Sequence, residues 1–81
     1  MRVNNQEWGL TSGFAFRLRQ AREKAGLTRS RAATEVGTCG EYIYKAECGE
    51  IVPNIKRVVE LADLYGVRVD WLCKGDDHEL D

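Results

Sequence analysis

The chain has 81 residues, of which 43% are hydrophobic and 31% charged, with a single proline and a formal net charge of −1. That is room for one small domain with a thin core, since a chain near this size buries only about 60% of its unfolded surface. The composition excludes collagen-like and low-complexity chains, and no apolar run approaches the roughly 18–20 residues of a membrane span.

Residues 1–11 show no period and are expected to form a tail or arm, with Trp8 and Leu10 its only large apolar groups. From Ser12 the pattern turns helical: Phe14, Leu18, Ala21 and Ala25 make one apolar stripe, and Gly26 supplies a stop. Thr28 caps a second helix with Ala32, Ala33 and Val36 inward, ended by Gly37. A third starts at Thr38 or Cys39 and runs to Cys48, with Ile43 and Ala46 inward and Gly49 closing it. After a loop containing Pro53, Asn54 caps a fourth helix whose stripe is Ile55, Val58, Val59 and Ala62, widened by Leu61 and Leu64. Gly66 stops it, and Asp70 caps a last short helix through Trp71, Leu72 and Cys73, ended by Gly75. Residues 76–81 form an acidic tail. The expected fold is all-α, a compact bundle of five short helices spanning residues 12–75.

Cys39, Cys48 and Cys73 are odd in number and form no C-x-x-C, so they read as reduced thiols in a cytoplasmic protein. The N-terminus lacks the apolar stretch of a signal peptide. A zinc site from cysteines and His78 is badly spaced, and neither a metal nor a cofactor is expected. No nucleophile-elbow, zincin or P-loop pattern occurs, which argues against an enzyme.

The second and third helices, joined by a tight turn containing glycine, are the pattern of a helix-turn-helix unit, whose second helix lies in the DNA major groove. A helix N-terminus carries partial positive charge and prefers acids in its first turn, yet Arg29 and Arg31 stand there. A phosphate at that end meets the dipole, unpaired N–H groups and guanidinium together; the plain alternative is two tolerated surface arginines. Charge is split along the chain. Residues 1–34 hold seven basic and two acidic residues, a net of +5, while residues 35–81 hold five basic and eleven acidic, a net of −6. The basic segment coincides with the parts of a helix-turn-helix that flank the DNA backbone, or else is a solvated helix face.

Leu18-Arg19-Gln20-Ala21-Arg22, Gly26-Leu27-Thr28, Tyr42-Ile43 with Glu47 and Gly49-Glu50, Pro53, Leu61 to Val67, Val69-Asp70-Trp71-Leu72 and Gly75 follow in order. In these stretches, over about residues 14–75, the chain resembles the Cro/C1-type (XRE-like) helix-turn-helix family, the DNA-binding domain of lambdoid phage repressors and Cro proteins. The resemblance implies a lambda-repressor-like domain, with Thr28 and Arg29 at the DNA backbone, Arg22 and Glu47 as an internal ion pair, and Gly40, Glu41, Tyr44 and Lys45 at base-reading positions. It implies a backbone contact for Tyr42 and packing of a homodimer through the segment from Gly66 to Trp71, hence Arg68, Val69 and Trp71, although Trp71 suits a core equally.

Some positions depart from the family's habit. Gly40 presents no side chain. Glu41 can accept from cytosine N4 or complete a capping box with Thr38. Lys45 can meet guanine or phosphate, and Tyr44 a thymine methyl or a sugar. The loop from Gly49 to Val52 lacks basic residues, and Lys56 is the nearest substitute. The expected function is a sequence-specific transcriptional regulator, of phage or prophage type, binding double-stranded DNA at a near-palindromic operator as a homodimer. The length suggests that no sensor domain accompanies it. The competing expectation is a helix-turn-helix scaffold used as a protein-interaction module, antitoxin-like or anti-repressor-like.

Overall fold

The computed structural model describes residues 13–75. The expected arm with Trp8 and Leu10, the start at Ser12, and the acidic tail with His78 lie outside the described residues. Five helices follow one another, α1 (Phe14–Lys24), α2 (Arg29–Val36), α3 (Gly40–Cys48), α4 (Ile55–Tyr65) and α5 (Val69–Lys74), and no strand occurs among the described residues.

Two of the expected caps form. Thr28 Oγ1 accepts from the Arg31 amide at 3.0 Å, and Asn54 Oδ1 from the Arg57 amide at 2.9 Å; each such cap is worth about 1 kcal/mol against alanine. Two others do not form. Cys39 holds the N-cap position of α3 and no side chain caps that helix, so the Thr38–Glu41 capping box is absent. The reason is local: the Thr38 amide donates to the Ala33 carbonyl at 2.8 Å, which uses Thr38 to close α2. Asp70 falls inside the first turn of α5, behind Arg68 at the N-cap position. Its Oδ1 accepts from the Trp71 amide at 3.0 Å and its carboxylate pairs with Arg68.

The core is built from Phe14, Leu18 and Ala21 of α1, Ala32 and Ala33 of α2, Ile43 and Ala46 of α3, Val58, Leu61, Ala62 and Tyr65 of α4, and Leu72 of α5. Leu18, Ile43, Leu61 and Leu72 have no exposed surface, and burying each contributes about 1.5–3 kcal/mol. Ala32, Ala33 and Ala46 are small enough to let α2 and α3 come close together. The expected stripes err where they were drawn too wide. Ala25 lies past the end of α1 and is exposed. Ile55 is 68% exposed and Val59 39% exposed, and Tyr65 completes the buried face of α4 instead. Ile55 sits in the first turn of α4, where the described residues leave it uncovered.

Two arginines close helix ends on other elements. Arg17 of α1 donates through Nε and Nη2 to the carbonyls of Leu72 and Cys73, both at 3.0 Å, at the end of α5. Arg57 of α4 donates to the Val36 carbonyl at 2.5 Å, at the end of α2. A cation there satisfies orphan carbonyls and meets the negative end of the helix dipole.

Candidate nucleic-acid interface

The site is the α2–turn–α3 unit. Gly37 turns the chain with φ 79° and ψ 35°, a left-handed conformation that glycine adopts without a Cβ penalty. At the far side of the turn α3 runs close to α2. A Cβ on Gly40 would lie 3.8 Å from Ser30 Oγ, an ordinary contact, so packing does not demand glycine at the start of α3.

A buried ion pair ties this unit to α1. Arg22 Nε donates to Glu47 Oε2 at 2.7 Å and Nη2 to Oε1 at 3.2 Å, while Nη1 donates to the Leu27 carbonyl at 2.7 Å. The Arg22 side chain is 8% exposed and that of Glu47 only 2%. The hydrogen bond to Glu47 outweighs the cost of burial and raises the affinity of Arg22 for its proton. This is the pair expected from the family resemblance. A third member was not legible in the sequence: Arg29 Nε also donates to Glu47 Oε1, at 3.3 Å. The same Arg29 guanidinium stacks over the Tyr44 ring, with its carbon 5.2 Å from the centroid. The Tyr44 phenol is shifted upward chiefly by a hydrogen bond with the Cys48 thiol.

On α3, Glu41, Tyr44 and Cys48 are exposed and Lys45 is half-buried. Residues three and four apart share a helix face, so these four form one exposed stripe, with Ile43, Ala46 and Glu47 behind it. Glu41 Oε2 pairs with Lys45 Nζ at 3.3 Å. This pairing replaces the capping role considered for Glu41. Tyr42 is half-buried under Arg57, whose guanidinium carbon lies 5.6 Å from its ring centroid. Lys56 is exposed in the first turn of α4 and makes no ion pair among the described residues. Val69 and Trp71 are half-buried against the core, and Arg68 is exposed. Trp71 therefore belongs to the rim of the bundle, neither wholly core nor wholly free.

Among the described residues, the basic and acidic segments meet through ion pairs. Arg19 pairs with Glu23 and Arg31 with Glu35, both along one exposed helix face, at 2.9 Å each. Arg22 and Arg29 converge on Glu47, and Arg17 faces the end of α5. Three of the five arginines of α1 and α2 thus meet carboxylates from the segment counted as acidic. Among the described residues, no three His, Cys, Asp or Glu side chains converge as a metal site. Cys39 and Cys48 are exposed, Cys73 is half-buried, and all three are free thiols. No described helix is long and apolar enough to cross a membrane.

A family model for a helix-turn-helix domain matches residues 14–71. This chain belongs to the helix-turn-helix family of transcriptional regulators. The helix-turn-helix chain is 31% identical over 68 residues to an SPbeta prophage-derived uncharacterized HTH-type transcriptional regulator, YonR, of Bacillus subtilis (strain 168). That match takes in 84% of this chain and 63% of YonR, so the chain spans somewhat less than two thirds of that relative's length. It is 33% identical over 64 residues to an uncharacterized HTH-type transcriptional regulator of Archaeoglobus fulgidus, covering 79% of this chain and 91% of that one. In three dimensions the helix-turn-helix fold matches the P22 c2 repressor in a crystal structure with synthetic operator 9T, with a TM-score of 0.76 and 27% identity. That likeness covers 82% of this chain and all of the P22 chain.

Proposed function

We propose that the protein is a sequence-specific DNA-binding transcriptional regulator of the phage-repressor type, acting in the cytoplasm as a homodimer on a near-palindromic operator. The observation that carries this reading is the likeness to the P22 c2 repressor, a protein solved on operator DNA. The prophage origin of the Bacillus relative supports the phage assignment. In this reading α3 enters the major groove with its exposed stripe toward the DNA, and Lys45, released from Glu41, reaches guanine or phosphate. Thr28 and Arg29, at the start of α2, meet the DNA backbone, with Tyr42 and Lys56 beside them. Two copies pack through Arg68, Val69 and Trp71. Trp71 borders a groove of about 590 Å³ together with Gln20, Lys24, Tyr65 and Val67, which gives a second copy a recess to fill. The two α3 helices then stand about 34 Å apart on successive major grooves.

Selection of bound sites from random duplex DNA, followed by anisotropy titration of the selected site at two salt concentrations, tests this. Enrichment of a near-palindrome, with affinity falling steeply as salt rises, is the expected result, because phosphate contacts release counterions. Weak, salt-insensitive binding to every duplex overturns the regulator reading and leaves the scaffold to a protein partner.

A further inference from the structure

We propose that Tyr44 acts on DNA through Arg29: its ring is the rest that holds the Arg29 guanidinium against α3, which makes Tyr44 a positioning residue and not a reader of bases. The inference rests on the regulator reading above, and takes the placement of Arg29 at the DNA backbone from it.

Two observations carry it. First, α2 has two arginines near its start that use their charge differently. Arg31 lies along its own helix toward Glu35 at 2.9 Å, whereas Arg29 crosses to α3 and meets both Glu47 at 3.3 Å and the Tyr44 ring at 5.2 Å. Second, Glu47 is itself immobile, because its carboxylate is 2% exposed and forked by Arg22. Arg29 is therefore held from one side by a fixed anion and from one face by an aromatic ring. Its Nε is used, and its two terminal nitrogens carry no hydrogen bond among the described residues.

The physical consequence is preorganisation. A free arginine gives up much side-chain freedom when it forks onto a phosphate. Here the stack and the Glu47 contact have already limited that freedom, so less is lost on binding. The terminal nitrogens, which carry no hydrogen bond among the described residues, remain to donate to an incoming oxyanion. Tyr44 accordingly contributes to affinity for every sequence and carries no sequence information of its own.

A double-mutant cycle on the selected operator, with sedimentation and circular dichroism to confirm folded protein, tests the proposal. Tyr44 is 47% exposed, so its replacement leaves the core intact. Tyr44→Leu is expected to weaken binding about two- to fivefold, alike on all operator variants, the fold-change of one exposed cation–π contact. Tyr44→Phe, which keeps the ring, stays within about twofold of the parent. Arg29→Ala lowers the salt slope by about one, and adding Tyr44→Leu to it weakens binding no further. The proposal is overturned if Tyr44→Leu reorders the operator variants, if Tyr44→Phe costs as much as Tyr44→Leu, or if the two losses multiply in the double variant. Those outcomes leave the parent's salt-sensitive DNA binding in place and so spare the regulator reading; a parent without such binding sinks both.

Discussion

A Cβ on residue 75 would lie 2.8 Å from Arg17 Nη1, so Gly75 and Arg17 meet in a contact that admits no side chain. Arg17 cannot simply move aside, since its Nε and Nη2 hold the last carbonyls of α5. The backbone of Gly75, at φ 80° and ψ −159°, also lies in a region that only glycine occupies freely. Gly75→Ala is expected to cost about 1–3 kcal/mol of stability. Urea unfolding followed by circular dichroism reads this directly, and an unchanged midpoint would remove Gly75 from the packing of α1 on α5.

Glu47 serves two guanidiniums from a nearly sealed position. Glu47→Ala strands Arg22 as an uncompensated buried charge, which typically costs about 3–5 kcal/mol. Arg29, 40% exposed, is left to water and adds little. A loss below about 1 kcal/mol in denaturant melts would show that the bundle relaxes enough to hydrate Arg22.

The Tyr65 hydroxyl is buried and has no hydrogen-bond partner among the described residues. Burial, with the Glu47 charge adding to it, pushes this phenol up to about 12. An unfolded chain releases the same proton near pH 10. The native state therefore binds more protons than the unfolded one between these values, and stability falls as pH rises through them. The contribution is whole below about pH 10 and gone above about 12. Tyr65→Phe should flatten this dependence and, at neutral pH, be neutral or stabilising by about 1 kcal/mol, since it deletes an unsatisfied group. Parallel loss of stability in parent and variant between pH 10 and 12 would place the effect elsewhere.

Glu41 holds Lys45 at 3.3 Å on the stripe proposed to face DNA, and it is a negative charge beside a polyanion. Glu41→Gln should strengthen binding to all duplexes by about two- to fivefold, the scale of one exposed ion pair and one repulsion removed. Were Glu41 instead the acceptor for a cytosine, the same change would weaken binding to that operator alone. Anisotropy titrations on operator variants distinguish the two outcomes.

Val69 is half-buried at the rim beside exposed Arg68. Val69→Asp should dissociate the proposed dimer while leaving the monomer folded, because a charge at a packed apolar surface loses hydration without gaining a partner. Sedimentation velocity at several concentrations reads the result, and an unchanged dimer would move the interface away from the start of α5.

How much of this was legible in sequence varies with the range of the interaction. The glycine stops after α2, α3 and α4 and the caps at Thr28 and Asn54 are contacts between near neighbours, so residue type and spacing suffice for them. The Arg22–Glu47 pair spans 25 residues and came from family resemblance, because no local rule joins α1 to α3. Periodicity placed the buried faces but overdrew α4. An apolar residue at helical spacing can lie at the edge of a stripe, and whether Ile55 is covered depends on where the neighbouring helices end.

Charge marks the boundary most clearly. Sequence alone determined the numbers of charges, their division along the chain, the helical segments and the helix-turn-helix order of the second and third. Only the tertiary structure decided which charges are spent. Arg17 and Arg57 go to the ends of helices distant in sequence, Arg22 and Arg29 converge on one buried carboxylate, and Arg29 rests on Tyr44. The reason is physical: a helix is set by bonds between residues a few positions apart, whereas an ion pair is set by distance in space, which exists only once the helices have packed.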